Sequence, residues 1–276
     1  MNRALLVGIN AYPSQPLQGC VNDVLDMAGL ITSGPIGFRK RDVRLLTDGR
    51  ATKAAICNHL GWLTSGLRAG DRALFHYSGH GVQLPTRNPA GEVDNLDEAI
   101  CPVDFDWTDA TTLRDKDFAR IFSAVPPGVE FVWVSDSCHS QDLTRDLVPP
   151  GGPVIRVKTM VPPGDIDWRL QTAKEEQVTA LGMLGAAQSL AKSEINVALV
   201  AGCKSDQTSA DAVINGRPNG ALTFFLIAEL KKAGAFDRPL TRVVAETAAA
   251  VKAAHYSQDP QLEGAREICG RPFLAR

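Results

Sequence analysis

Arg72-Ala73-Leu74-Phe75-His76-Tyr77-Ser78-Gly79-His80-Gly81 and Phe131-Val132-Trp133-Val134-Ser135-Asp136-Ser137-Cys138-His139-Ser140 are the stretches on which the fold turns. Each is an apolar run that stops abruptly in a short polar cluster. Continuous rather than alternating apolar residues, as in Phe131–Val134, suit a strand covered on both faces, and such strands belong to mostly parallel sheets. In open α/β sheets, ligands bind beyond the carboxyl ends of the strands. With both strands central and parallel, His80 and Cys138 meet at one edge of the sheet, where they can serve as base and nucleophile of a Cys–His pair.

Outward from these stretches, apolar runs alternate with helix-like ones. Strands are expected near 3–9, 42–46, 71–78, 129–136 and 195–202, and helices near 21–33, 53–68, 116–124, 220–233 and 240–254. The alternation predicts one three-layer α/β/α domain over 1–276 with a mostly parallel central sheet. Residues 141–170 hold Pro149-Pro150-Gly151-Gly152-Pro153 and Pro162-Pro163-Gly164, a density that predicts an exposed loop rather than core. Val178, Leu181, Leu184 and Leu190 then predict a surface helix over 171–193.

Composition narrows the function. The 276 residues carry 29 Lys and Arg against 31 Asp and Glu, which gives no field suited to nucleic acid or to a membrane surface. No apolar run approaches the ~20 residues needed to span a bilayer. Met1-Asn2-Arg3 runs straight into Ala4-Leu5-Leu6-Val7, which reads as a first strand rather than a signal peptide. On this reading no pro-domain precedes the fold. Six scattered cysteines without metal or redox spacing point to reduced thiols and a cytoplasmic protein.

Spacing removes several other chemistries. A phosphatase loop needs Arg six positions after its Cys, where Thr144 stands and Arg145 comes one residue late. His76 and His80 lie four apart, but Tyr77 follows the first His and the segment reads as strand, so a zinc helix is excluded. Gly8-Ile9-Asn10-Ala11-Tyr12 carries no dinucleotide fingerprint. Cys57 and Cys269 read as small buried hydrophobes. Cys203, which also ends an apolar run, is the rival nucleophile, although its neighbours Lys204, Ser205 and Asp206 include no His.

The two polar clusters resemble the paired signatures of metacaspases, a branch of the caspase-like cysteine peptidases. The resemblance extends in order along the chain: Leu6–Tyr12, Gly19-Cys20-Val21-Asn22-Asp23, Asp97–Asp104, Ser205–Asp211, Asn219-Gly220-Ala221-Leu222-Thr223 and Gln261-Leu262-Glu263-Gly264. It departs at Gln141, where the family pattern has Gly. It implies a caspase-like fold with a large-subunit-like half (1–145), a linker or insert (146–194) and a small-subunit-like half (195–276).

It also implies residue roles. Cys138 would be the nucleophile and His80 the general acid/base. The backbone N–H groups of Gly81 and Cys138 would form the oxyanion hole, with Gly at 81 because main chain must approach the substrate closely. Asp23 and Asp136, with Ser78 nearby, would line an S1 pocket for Arg or Lys. His139 belongs to the motif without a direct chemical role.

The implied partners are protein or peptide substrates with Arg or Lys before the cut, and a regulatory protein; the chain is expected to be a monomer. No cofactor is required. Calcium activation, known in the family, would draw on Asp115 and Asp117, but Lys116 stands where a second successive Asp is expected, and an ammonium opposes a dication. Arg145, Arg156, Lys158 and Arg169 in the insert are candidate sites of self-cleavage. The alternatives are a catalytically silent scaffold or regulatory subunit, and a caspase-like peptidase with another P1 preference.

Overall fold

A computed structural model of the protein describes residues 1–86, 96–139, 155–181, 195–204 and 207–274, leaving aside side chains over 173–181. Its centre is a six-stranded sheet in the order β12-β9-β7-β3-β1-β2. These strands are β1 (Asn2–Gly8), β2 (Val43–Thr47), β3 (Arg72–Ser78), β7 (Glu130–Asp136), β9 (Ala198–Ala201) and β12 (Gln261–Gly264). All neighbours pair in parallel except β12, which runs antiparallel to β9.

The continuous apolar runs have the cause expected of them: β1, β3 and β7 bury both faces. Leu5 and Val7 of β1, Phe75 and Tyr77 of β3 and Phe131 of β7 enter one core cluster. Ala4 and Leu6, Leu74, and Val132 and Val134 enter the other. Two helices, α2 (Lys53–Thr64) and α3 (Asp115–Phe122), cover the first face through Ile56, Leu60, Leu63, Phe118 and Phe122. The second face is covered by α1 (Cys20–Thr32), α5 (Ala221–Leu230) and α6 (Leu240–Ala253), through Val24, Met27, Ile31, Leu222, Leu226, Leu230, Val243 and Val244. Side chains alternate across a strand, so one run feeds two cores.

Two small antiparallel sheets were not anticipated from the sequence. One joins β4 (Gly81–Pro85), β5 (Leu96–Ile100) and β6 (Leu113–Arg114); the other joins β8 (Arg156–Val157), β10 (Ala210–Ile214) and β11 (Arg217–Gly220). The remaining helices are α4 (Gly164–Leu181) and α7 (Arg266–Cys269). Among the described residues, no helix is long and apolar enough to cross a membrane.

The insert departs from expectation. An exposed loop was predicted for 141–170, yet β8 pairs with β10, Lys158 is wholly buried, and α4 starts at Gly164. The helix expected over 171–193 therefore begins earlier and is described only to Leu181; 182–194 lie outside the described residues. Backbone pairing to a distant strand outweighs the local Pro and Gly content.

Candidate active site

Strands β3 and β7 are adjacent and in register, with Ser78 opposite Asp136. His80 and Cys138 each follow two residues beyond those paired ends, so both stand at the carboxyl edge of the sheet. Two tyrosine hydroxyls hold the turn after β3. Tyr12 Oη accepts from His80 N at 3.0 Å and donates to Cys101 O at 2.9 Å, while Tyr77 Oη donates to His80 O at 2.7 Å. The Tyr12 ring lies against the His80 imidazole, with centroids 4.6 Å apart.

Nε2 is 2.7 Å from Gln15 O, so Nε2 carries the proton and donates it there; Nδ1 is buried and makes no hydrogen bond among the described residues. Burial pushes the His80 pKa down to about 4, against the pull of the Gln15 and Lys158 backbones. The ring is neutral at neutral pH. Cys138 is fully buried, and its thiol donates to Gln207 O. Cys203, the rival nucleophile, lies beside it and donates to the same carbonyl at 3.3 Å. Contact with Cys138, followed by burial, raises the Cys203 pKa.

What lies against these groups is the chain's own insert. The carbonyl oxygen of Lys158 accepts from Gly81 N at 2.9 Å and from Cys138 N at 3.2 Å. A Cβ on Gly81 would fall 2.5 Å from Cys138 O, so only glycine lets the two backbones converge on one oxygen. Upstream, Lys158 N donates to Ser209 O at 2.9 Å, and Val157 and Arg156 pair antiparallel with Ala210 and Asp211.

The Lys158 side chain enters a closed acidic pocket. Its ammonium is 3.0 Å from Asp136 Oδ1, 3.3 Å from Asp23 Oδ2 and 2.9 Å from Ser78 Oγ, all fully buried. Asp136 also accepts from Ser209 Oγ at 2.8 Å, Thr223 N at 2.9 Å and Thr223 Oγ1 at 2.8 Å. Asp23 accepts from Ser78 Oγ at 2.7 Å, Gly220 N at 2.9 Å and Asn219 Nδ2 at 3.1 Å.

Burial works against ionising either acid. At Asp136 the Lys158 charge and the Thr223 bonds overcome it, so that pKa is lowered; at Asp23, farther from the ammonium, burial prevails and the pKa is pushed up to about 6. Desolvation also opposes the charged lysine, yet the surrounding acids raise its pKa, so it stays protonated. A buried ammonium is tolerable only when its partners are this complete.

The residues named from the sequence therefore converge. His80, Cys138, Gly81, Asp23, Asp136 and Ser78 all lie around Lys158. Among the other insert basics, Arg156 lies two residues before Lys158 on β8, Arg169 is exposed on α4, and Arg145 lies outside the described residues. Sequence reasoning gave no role to Tyr12, Gln15, Ser209, Asn219, Gly220 or Thr223. The signal for the last four was present in the two C-terminal motifs, but not their destination.

Among the described residues, Asp115 and Asp117 do not assemble a metal site. Asp115 Oδ1 accepts from Lys116 N at 2.8 Å, while Asp117 accepts from Arg114 N at 3.2 Å and pairs with Arg120 at 3.1 Å, all at the start of α3. Nearby Asp97 is held by Lys116 at 2.7 Å and Arg114 at 2.8 Å. Backbone N–H groups at Asp115 and Asp117, and the Arg120, Arg114 and Lys116 side chains at Asp117 and Asp97, already engage these oxygens, so the described residues do not fit the ion. Among the described residues no group of three or more His, Cys, Asp or Glu is placed to hold a metal.

Known proteins resemble the chain over nearly its whole length. Residues 2–147 match the family model described as metacaspase, peptidase C14 domain. The chain is 32% identical to Metacaspase-1 of Coccidioides immitis, over 98% of its own length and 62% of the relative's. It is also 32% identical to Metacaspase-1 of Ajellomyces capsulatus, over 98% of its own length and 80% of the relative's. The solved structure of protein GSU0716 from Geobacter sulfurreducens shares the fold, with a TM-score of 0.69 at 24% identity over 99% of this chain and 98% of that one. With a thiol, an imidazole and two converging backbone N–H groups gathered at one sheet edge, and with these relatives beside it, the chain belongs to the metacaspase family of cysteine peptidases.

Proposed function

We propose that the protein is an endopeptidase that cuts after Lys or Arg through Cys138 and His80, and that its own Lys158–Thr159 bond is the first one it cuts. One observation carries the reading: Lys158 lies with its ammonium among Asp23, Asp136 and Ser78 while its carbonyl oxygen accepts from Gly81 N and Cys138 N. Two carboxylates that neutralise a buried ammonium also offer a guanidinium paired acceptors of the right charge.

In the chemistry this implies, His80 Nδ1 takes the Cys138 thiol proton and the sulfur attacks the Lys158 carbonyl carbon. The displaced electron pair moves onto the oxygen already facing the two N–H donors, each worth ~10²–10³ in rate. As the C–N bond breaks, Nδ1 passes its proton to the Thr159 amine. Water then hydrolyses the thioester, giving hydroxyl to the acyl carbon and a proton back to sulfur. Until the cut, Lys158 keeps other substrates out of the pocket.

Because Lys116 and Arg114 neutralise Asp97, we propose that the activity needs no calcium. Intact-mass measurement of the purified protein beside Cys138→Ala tests the main reading. Fragments ending at Lys158 and beginning at Thr159, absent from the variant and unaffected by chelator, are expected. Identical intact masses under conditions that cleave an Arg or Lys peptide would remove self-cleavage. Failure to cleave such a peptide at all would remove the peptidase assignment.

A further inference from the structure

The three residues after Lys158 are held as closely as those before it. Thr159 forms a parallel bridge with Gly81 and is 1% exposed. Gly81 O accepts from Thr159 Oγ1 at 3.2 Å and from Met160 N at 3.3 Å. Met160 is 3% exposed and belongs to the core cluster that also holds Tyr12, Leu17 and Val82. Val161 reverses the pattern: its side chain is 46% exposed, but its backbone is gripped. Val161 N donates to Gln15 Oε1 at 3.1 Å, and Gln15 Nε2 reaches Val161 O at 3.5 Å.

Gln15 has φ of 54°, in the left-handed region. With that backbone its carbonyl faces His80 Nε2 while its carboxamide pairs with Val161 in the manner of a neighbouring strand. One residue thus orients the imidazole with its main chain and holds the far side of the segment with its side chain.

We propose that this protease reads its substrates three residues beyond the cut: a buried apolar side chain at the second, and the backbone of the third clamped by the Gln15 carboxamide. The inference rests on Lys158 marking the residue before the cut, and it defines the substrate class as extended polypeptides rather than basic ends. The third side chain is unread, because Val161 faces solvent. Thr159 is enclosed, and its hydroxyl bond to Gly81 O is one that Ser can share.

Peptides supplied to the full-length enzyme separate this from a segment that merely covers the site. The probes are an internally quenched Ile-Arg-Val-Lys-Thr-Met-Val-Pro, the same peptide with Asp in place of Met, and Ile-Arg-Val-Lys joined to an aminocoumarin. The variants are Gln15→Asn, which tolerates a left-handed backbone but is too short to reach, and Gln15→Glu, which keeps an acceptor for the backbone N–H. The Asp peptide should be cut about tenfold or more slowly than the Met peptide, since its carboxylate meets an apolar site. In Gln15→Asn the ratio of kcat/KM for the octapeptide to that for the coumarin amide should fall about three- to tenfold, the span of one or two modest hydrogen bonds. Gln15→Glu should recover part of that loss. Because the coumarin amide ends at Lys, it reports any general damage to fold or imidazole separately. An unchanged ratio in Gln15→Asn overturns the clamp, and equal cleavage of Met and Asp peptides overturns the apolar subsite. If the wild type cleaves the octapeptide after neither Lys nor Arg, or cleaves neither probe, the parent reading falls and takes the inference with it; cleavage after the Arg alone overturns the inference and leaves an Arg-directed peptidase.

Discussion

Gly220 shows how little space the acidic pocket has to spare. A Cβ there would lie 2.0 Å from Lys158 Nζ, 2.3 Å from Asp136 Oδ2 and 2.7 Å from Asp23 Oδ2. The residue's φ is an ordinary −72°, so close approach and not backbone freedom demands glycine. Its N–H also donates to Asp23. Gly220→Ala should therefore block entry of a Lys or Arg side chain and lower kcat/KM for a P1-Arg substrate by ~10² or more, the size of effect that about 1 Å of misplacement produces. Turnover within a factor of a few of wild type would show that the pocket is not where the basic residue binds.

At the scale of elements, the edge formed by β5, β6 and α3 is tied by charge. Asp97 of β5 is 1% exposed and receives Arg114 from β6 and Lys116 from α3. Burial opposes its ionisation, but the bonds from Lys116, Thr86 and Arg114 hold its pKa below the usual range. The two cations are not equivalent, since the Lys116 side chain is 41% exposed and that of Arg114 only 12%. Asp97→Ala leaves Arg114 without its buried partner and should cost ~2–4 kcal/mol in urea unfolding. Lys116→Ala removes a solvent-screened contact and should cost under ~1 kcal/mol. Equal losses would mean that the tie does not depend on burial.

Across the whole molecule, buried ionisable groups set the response to acid. Asp211, raised by burial, and Asp136, lowered by the Lys158 charge against its burial, oppose each other, which leaves His80, His76 and Asp23 to set the balance. His80 and His76 are pushed down by burial to about 4 and about 3, from 6.5, so each stays neutral in the fold while the unfolded chain binds a proton. Burial pushes Asp23 up to about 6 from 3.8, so the folded form binds a proton that the unfolded chain does not. Between pH 6 and 4, unfolding takes up two protons at the histidines and releases one at Asp23. The net uptake of about one means that stability falls as pH falls, by ~1.4 kcal/mol per unit. Urea unfolding at pH 7, 6, 5 and 4 checks the slope. In His76→Asn the remaining contributions offset one another and the slope should flatten; an unchanged slope there would contradict the account.

The sequence by itself determined the layered fold and which residues would stand at the carboxyl edge of its sheet. Unbroken apolar runs such as Phe131–Val134 can be satisfied only between two helical layers, and the ends of two such runs carry His80 and Cys138. Those are local signals, written in consecutive residues. Only the tertiary structure decided that Lys158, in a segment whose prolines and glycines read as exposed loop, is buried between Asp23 and Asp136. The reason is distance along the chain. Its place depends on pairing with β10, some fifty residues later, and on oxygens from Asp23, far earlier. Gln15 was illegible for the same reason, because a polar residue in a turn shows its purpose only once His80 and Val161 have been brought to it.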